Sequence, residues 1–486
     1  MRIKETVLDK LSLVYLFIPL FLFLFFWIKP IFSIILIFVC LFAITKILKN
    51  NNSENYFEIS KNHLFLIIAI CTMWCIISGI GGLYYQSLPD WNIKNALMHD
   101  LINLSWPITY DNGAKLVYYF GTFLPSSFVG KIFKFFGCSN YYSFILSNFT
   151  ALFWALTGIV LVLLNVISYL NIKNKNPIWI VLVFIFFSGM DIILPISVVF
   201  MHIEWHPIQL QYSSITTMMM WAYNQAIAPW LITILFLKKL KEIEHYGILG
   251  TFSLFYAPLT FIGMSFYFCV NSVVEFFLQR NEIKKFFSKI FSIQNILCIL
   301  FLIPIIYLFF KSNYTAEFRK IIFVGYNINT LHFLALECLL LMFFMWKKYA
   351  KNPIFYITLV SLILIPAFRL TDCLDFSMRV SVPAIFIMAI FVIKFLFEKS
   401  ECKVDVFLKT VVGIFLFVGL ATPACEIARG VYYTFYNNNQ LLTKDYVQTL
   451  NNKITTDSDW VNDVGDYKNY GCLEPEKSLF FKYLSR

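Results

Sequence analysis

Side chains able to do chemistry are sparse in this sequence and fall into four segments. The first, LPDWNIKNALMHDLINLSWPITYDNGAKLVYY (residues 88–119), holds Asp90, Asp100 and Asp111 together with His99, Lys115, Trp91 and Trp106. A carboxylate partly withdrawn from water can take a proton from a hydroxyl or bind a metal ion. The same residues would also suit an interfacial loop, with Asp90 capping a helix and the two tryptophans anchored at the membrane boundary. Either account covers one Asp, and the cluster as a whole leans towards chemistry.

The second segment is HIEWHPIQLQYSSITTMMMWAYNQAIAPW (residues 202–230). His202 and His206 flank Glu204 at helical spacing, but Pro207 follows at once and the pattern is not a zinc signature, so no metal site is assigned. Gln211, Tyr212, Ser213, Ser214, Asn224 and Gln225 form a surface suited to the hydroxyls of a sugar, and Glu204, His206 and His99 are grouped with them as candidate acceptor contacts. Just upstream, Asp191 lies inside an apolar run. An ionisable residue there costs about 2.5 to 3.5 kcal/mol to insert and faces a cavity or a partner. The third segment, KSNYTAEFRKIIFVGYN, carries Glu317, Arg319 and Lys320, which a solvated face explains. The fourth, AFRLTDCLDFSMRVSVPAIF, places Arg369, Asp372, Asp375 and Arg379 close together. Arginine forks suit phosphate oxygens, and pairing with the neighbouring aspartates is the competing use of the same groups.

The elements that position these segments are apolar helices. Of 486 residues 59% are hydrophobic and 14% charged, with 55 Phe, and the mean hydropathy is +0.72. No soluble domain could cover such a surface, so the solvent is lipid and the structural units are blocks of about 20 apolar residues. The net charge of +11 is assigned to orienting loops and not to nucleic acid. Cys40, Cys71, Cys75, Cys298 and Cys338 act as small hydrophobes inside apolar runs. An oxidising compartment would permit a bridge between Cys425 and Cys472, but free thiols are the stronger expectation. The apolar stretch after MRIKETVLDK has no small-residue cleavage site before Lys29 and Pro30 and reads as a retained helix.

Keeping Lys and Arg in short loops on one side gives one consistent threading. Residues 11–28 and 31–45 make a hairpin through Lys29-Pro30, residues 63–83 cross next, and 114–137, broken by Gly121, Pro125 and Gly130, forms a re-entrant or interfacial pair of helices. Further crossings fall at 142–168, 177–200 and 227–237, and the run 247–278, too long for one span and holding Pro258, is read as two helices. Crossings at 291–310, 329–346, 353–367, 380–397 and 406–424 follow. The expected fold is all-α and polytopic, with about 13 spans. It divides into an N-terminal hairpin and loop (1–62), a core (63–428) with external loops 84–140, 201–226, 311–328 and 369–379, and an external tail (429–486). Abundant Lys, Asn, Ile and Phe suggest an AT-rich bacterial genome, and the expected location is a bacterial inner membrane, where the threading puts the N-terminus in the cytoplasm and the C-terminus outside.

This pattern resembles the GT-C superfamily of membrane glycosyltransferases that use polyprenyl-phosphate sugars. In that family an acidic residue follows an early crossing, and a Lys-Pro-Pro-Leu-Tyr-Tyr-like element precedes an apolar helix. Asp90 takes the acidic place, and Lys115 with Leu116 to Tyr119 resembles the second element without its two prolines. The resemblance implies inverting transfer of a sugar to a cell-envelope acceptor such as a glycan. Asp90 or Asp100 would be the base, and Arg379, Arg369 and Lys115, or a divalent cation such as Mg or Mn, would stabilise the leaving phosphate. A transporter or flippase, or a polymerase or ligase of lipid-linked glycans, is the alternative.

Overall fold

The computed structural model describes residues 1–49, 55–87, 90–172, 176–193, 203–204, 210–371, 375–436, 449–451 and 467–486. Glu5–Trp27 (α1) and Pro30–Lys49 (α2) form the predicted hairpin, with Pro30 opening the second helix where its missing N–H costs nothing. Short antiparallel strands Arg2–Lys4 (β1) and Tyr56–Glu58 (β2) clasp the chain on either side of it. Lys61–Ile77 (α3) is capped by Ser60, which accepts from the His63 N–H at 3.0 Å.

Asp90–Asn103 (α4), a strand at Lys115–Leu116 (β3) and Leu124–Phe135 (α5) build the first polar segment. The broken apolar stretch 114–137 yields a short 3-10 helix at Gly121–Phe123 that runs into one 12-residue α-helix. At about 18 Å it is too short to cross. The chain turns at Gly121, where an added Cβ would lie 2.7 Å from the Phe255 ring. Asn140–Leu170 (α6) follows, 31 residues long, then Pro177–Ile185 (α7) and a turn at Asp191–Ile193. The rest of the predicted 177–200 crossing lies outside the described residues.

Ile215–Ala222 (α8) and Ile227–Lys238 (α9) meet through a turn at Tyr223–Gln225, the pair being bent by 101°. Tyr246–Tyr256 (α10) and Pro258–Leu278 (α11) divide at Pro258 as their length required. Ile283–Ile290 (α12) lies alongside as a short amphipathic helix. Ile293–Leu297 (α13) and Ile303–Lys311 (α14) are continuous through a π-turn, as are Ile328–Leu334 (α15) and Leu340–Tyr349 (α16). Ile321–Phe323 (β4) and Phe368–Leu370 (β5) pair antiparallel. Pro353–Leu364 (α17), Asp375–Val380 (α18), Val382–Phe397 (α19), Lys403–Gly419 (α20) and Ala421–Tyr436 (α21) complete the helices. Gly471–Cys472 (β6) pairs antiparallel with β3. Cys425 and Cys472 are both free.

The chain is a mostly helical, multi-pass membrane protein. Among the described residues seven helices are long and apolar enough to cross, or eight if the bent pair α8–α9 counts as one span. Three shorter apolar helices, Lys61–Ile77, Pro353–Ala367 and Val382–Phe397, stand beside them.

The two ends of the bundle differ. At one, the Lys238 ammonium bonds Asp9 and, at 2.9 Å, Asn165 Oδ1, while Asn165 donates to Ser12 at 3.0 Å. This gathers the start of α1 and the ends of α6 and α9. At the other, the Lys29 N–H donates to the Leu484 carbonyl at 2.8 Å, and Asn313 donates to the carbonyls of Val117 and Asn469 at 2.8 and 2.9 Å. The Gln211 N–H donates to Ser377 Oγ at 3.3 Å. Parts of all four polar segments and the 467–486 stretch therefore meet at that end.

Candidate functional site

The site grows from the first turns of α4. Asp90 opens the helix and is exposed, whereas Trp91 and Lys94 turn inward with 2% and 6% exposure. Trp91 is pinned by donation to the Met220 carbonyl at 2.7 Å and stacks on Tyr223, centroids 5.4 Å apart. One turn on from Asp90, the Lys94 ammonium bonds the Trp221 carbonyl and sits 4.6 Å from the Trp91 ring centre and 5.7 Å from that of Tyr223. An aromatic box thus holds a cation behind the carboxylate. Burial lowers Lys94 to about 8, Asp90 opposes that shift and Arg379 adds to it. Both charges therefore act on one ammonium. Asn95 steadies the helix from behind, donating to Gln86 Oε1 at 2.7 Å, and Gln86 donates to the Gly79 carbonyl at 3.0 Å.

Arg379 comes from α18. One guanidinium nitrogen donates to the Tyr119 hydroxyl at 2.6 Å, another pairs with Asp375, and the group lies 5.5 Å from the Tyr119 ring centre. Helix α11 sets its place. Thr260 donates to the Arg379 carbonyl at 2.9 Å, and Gly263 lies so near that a Cβ there would be 2.1 Å from the Val380 carbonyl oxygen. Tyr119 is held up by burial and drawn back by Arg379. Tyr118 packs on it at 3.8 Å and touches Tyr470 at 5.0 Å. Burial also raises Tyr470, whose hydroxyl feels Tyr119 and Asp90 upward and Arg379 and Arg319 downward. Arg319 is fastened to Asn469 Oδ1 at 3.2 Å. Asp90, Lys94, Arg379, Arg319 and three tyrosines form one electrostatic neighbourhood built from four stretches of chain.

Behind the box, Trp221 donates to Glu426 Oε2 at 3.0 Å and carries the Arg429 guanidinium 4.8 Å from its ring centre. Arg429 pairs with Glu426 at 2.5 Å and reaches Ser87 at 3.3 Å. Helix α21 is thereby tied to the wall of the site.

The remaining candidates lie elsewhere. Asp100 is 1% exposed and accepts from the Leu450 N–H at 2.9 Å and from Thr449, with His99 Nδ1 at 3.2 Å. Ten residues of helix put it about 15 Å from Asp90. Lys115 donates to Thr109 at 3.0 Å beside Phe481, and burial lowers it. Arg369 is exposed on β5 opposite Ile322. Glu204 is buried and accepts from the Ser214 N–H and Thr217 Oγ1, both at 2.7 Å, and from Gln211 at 2.9 Å. Tyr212 donates to the Leu362 carbonyl at 2.6 Å. Asn224, at the α8–α9 bend, is buried with no hydrogen bond to its amide among the described residues. His202, His206 and Asp372 lie outside the described residues. Asp191 accepts from Ser188 and Thr422 at 3.3 and 3.1 Å, and the buried Glu337 carboxyl lies near it. Among the described residues no group of three or more His, Cys, Asp and Glu is placed to hold a metal ion.

Sequence reasoning passed over Lys94, Tyr470, Glu426 and Arg429, and gave Arg319 to a solvated face. Lys94 carried a signal, four residues after Asp90 and so on the same helix face. The others reach the site only through distant contacts. Compared with protein families, curated proteins and solved structures, the chain matches none.

Proposed function

We propose that the protein is a glycosyltransferase of GT-C type that moves a sugar from a polyprenyl-phosphate donor to a cell-envelope acceptor on the outer side of a bacterial inner membrane. The supporting observation is the neighbourhood of Asp90 with Lys94 and Arg379, an exposed carboxylate beside cations held by aromatic rings at one end of a membrane bundle. Asp90 takes the proton of the acceptor hydroxyl, whose oxygen bonds to the anomeric carbon as the bond to the phosphate oxygen breaks. Lys94 and Arg379 receive the charge left on the phosphate. In this reading the three shorter apolar helices bring the eight candidate spans to 11, and α7 and α10 take the total to about 13.

The test is transfer from polyprenyl-phosphate sugars by purified protein. Asp90→Asn is expected to lose about 100-fold or more in turnover, and Arg379→Ala to raise the donor KM. Full activity in both variants would remove the assignment. Absence of transfer by the wild type with every lipid-linked sugar would favour a carrier, the reading suggested by the Asp191–Glu337 contact within an apolar setting.

A further inference from the structure

A second cationic feature lies at the far end of α4, away from Asp90. Near the C-terminus of α5, the Lys131 ammonium bonds the Leu104 carbonyl and lies 5.3 Å from the Trp106 ring centre. One turn on, Lys134 donates to Asn103 Oδ1 at 2.6 Å. These lysines border a cleft that Asn103, Phe135 and Phe136 also line. Phe135 and Phe136 are 85% and 76% exposed. Among the described residues neither lysine has a carboxylate ion-pair partner. Each ammonium has three donors and uses one on a neutral oxygen, so two remain on each.

The level of the cleft is set by its neighbours. Trp106 packs on Phe26 and Trp27 at the end of α1, both at 5.1 Å, and Phe128 of α5 packs on Phe26 at 5.8 Å. Helix α6 begins four residues after Phe136, with Tyr142 63% exposed. Two spans therefore end at this height, and aromatic side chains mark it as the boundary between headgroups and acyl chains. Two exposed phenylalanines beside two lysines make an apolar floor under a cationic rim, the arrangement by which interfacial helices hold anionic lipid.

We infer that the α4–α5 cleft binds the headgroup phosphate of an anionic phospholipid, with Lys131 and Lys134 on the phosphate and Phe135 and Phe136 among the acyl chains. The occupant is committed by charge and depth. A zwitterionic headgroup would bring its own cation to the lysines, and a soluble anion would leave both phenylalanines in water. The site is independent of the proposed transfer reaction.

Full-length protein in detergent, titrated with phosphatidylglycerol and followed by native mass spectrometry, tests this. Wild type is expected to retain phosphatidylglycerol over phosphatidylcholine, with retention falling as salt rises. Lys131→Gln with Lys134→Gln should weaken it about 30-fold, a factor of about 5 for each lysine near an anionic lipid surface. Lys131→Arg with Lys134→Arg keeps the charge and should retain the lipid, which separates charge from folding. Equal retention by the Gln and wild-type proteins would overturn the site, as would loss in the Arg protein. Preference for undecaprenyl phosphate over phosphatidylglycerol, or displacement by inorganic phosphate at equal concentration, would overturn the phospholipid as occupant.

Discussion

Lys94 experiences two opposed influences. Burial among Trp91, Trp221 and Tyr223 disfavours its charge, while the Asp90 carboxylate one turn away favours it, and the balance lies at about 8. The free side chain titrates near 10.5, so between those values the unfolded chain binds more proton than the folded one. Stability therefore rises with pH across that window. Affinity for a lipid phosphate runs the other way, because Lys94 loses its charge as pH passes about 8. Binding of polyprenyl phosphate is expected to drop about tenfold from pH 7 to pH 9, the order of one charge-assisted hydrogen bond. Lys94→Met should bind weakly at both values, and a pH-dependence unchanged in that variant would place the titrating group elsewhere. Arg379 was visible in the sequence as one of two arginines beside aspartates. Lys94 was not singled out, since nothing local shows that Trp221 and Tyr223 close over it from more than a hundred residues away.

Among elements, α11 does most to place the guanidinium. Its Thr260 and Gly263, three residues apart and on one face, receive α18 so closely that no Cβ fits at Gly263. Gly263→Ala is expected to push Val380 and Arg379 away from Tyr119, raising the donor KM more than it lowers kcat. The overpacking should cost about 1 to 3 kcal/mol of stability. Unchanged KM with lowered stability would show that the contact serves packing alone. The break at Pro258 that starts this helix was legible from length and proline chemistry, and so was the α1–α2 hairpin. The form of the 114–137 stretch was only partly so. Its glycines and Pro125 announced a break, but pairing of β3 with β6 joins residues about 350 apart, a relation that hydrophobic period cannot express.

For the molecule as a whole, polarity is divided between the two ends. The end remote from the site is closed by Asp9, Lys238, Asn165 and Ser12, with Asp9 and Lys238 each under one tenth exposed. Charge bookkeeping had put Lys238 and the start of α1 on one side without naming Asp9 as its partner. Lys238→Met removes the nearer of the two described lysines that face that carboxylate, Lys239 being at 3.8 Å. The variant should lose about 3 to 5 kcal/mol, read as a lower midpoint of thermal unfolding in detergent. Asp9→Asn combined with it should recover much of the loss, and no recovery would mean that the lysine acts by packing.

The pairing of β3 with β6 also orders events in time. Translation places Asp90 and Tyr119 in the membrane early, long before Tyr470 is made, and every helix from α6 to α21 is synthesised in between. The wall that Asn469 and Tyr470 supply is therefore the last to arrive. Until it does, a half-built chain exposes an unpaired strand edge at Lys115–Leu116, open to mispairing and to quality-control proteases. In the proposed reading, the site is complete only once Tyr470 has been made and packs on Tyr118.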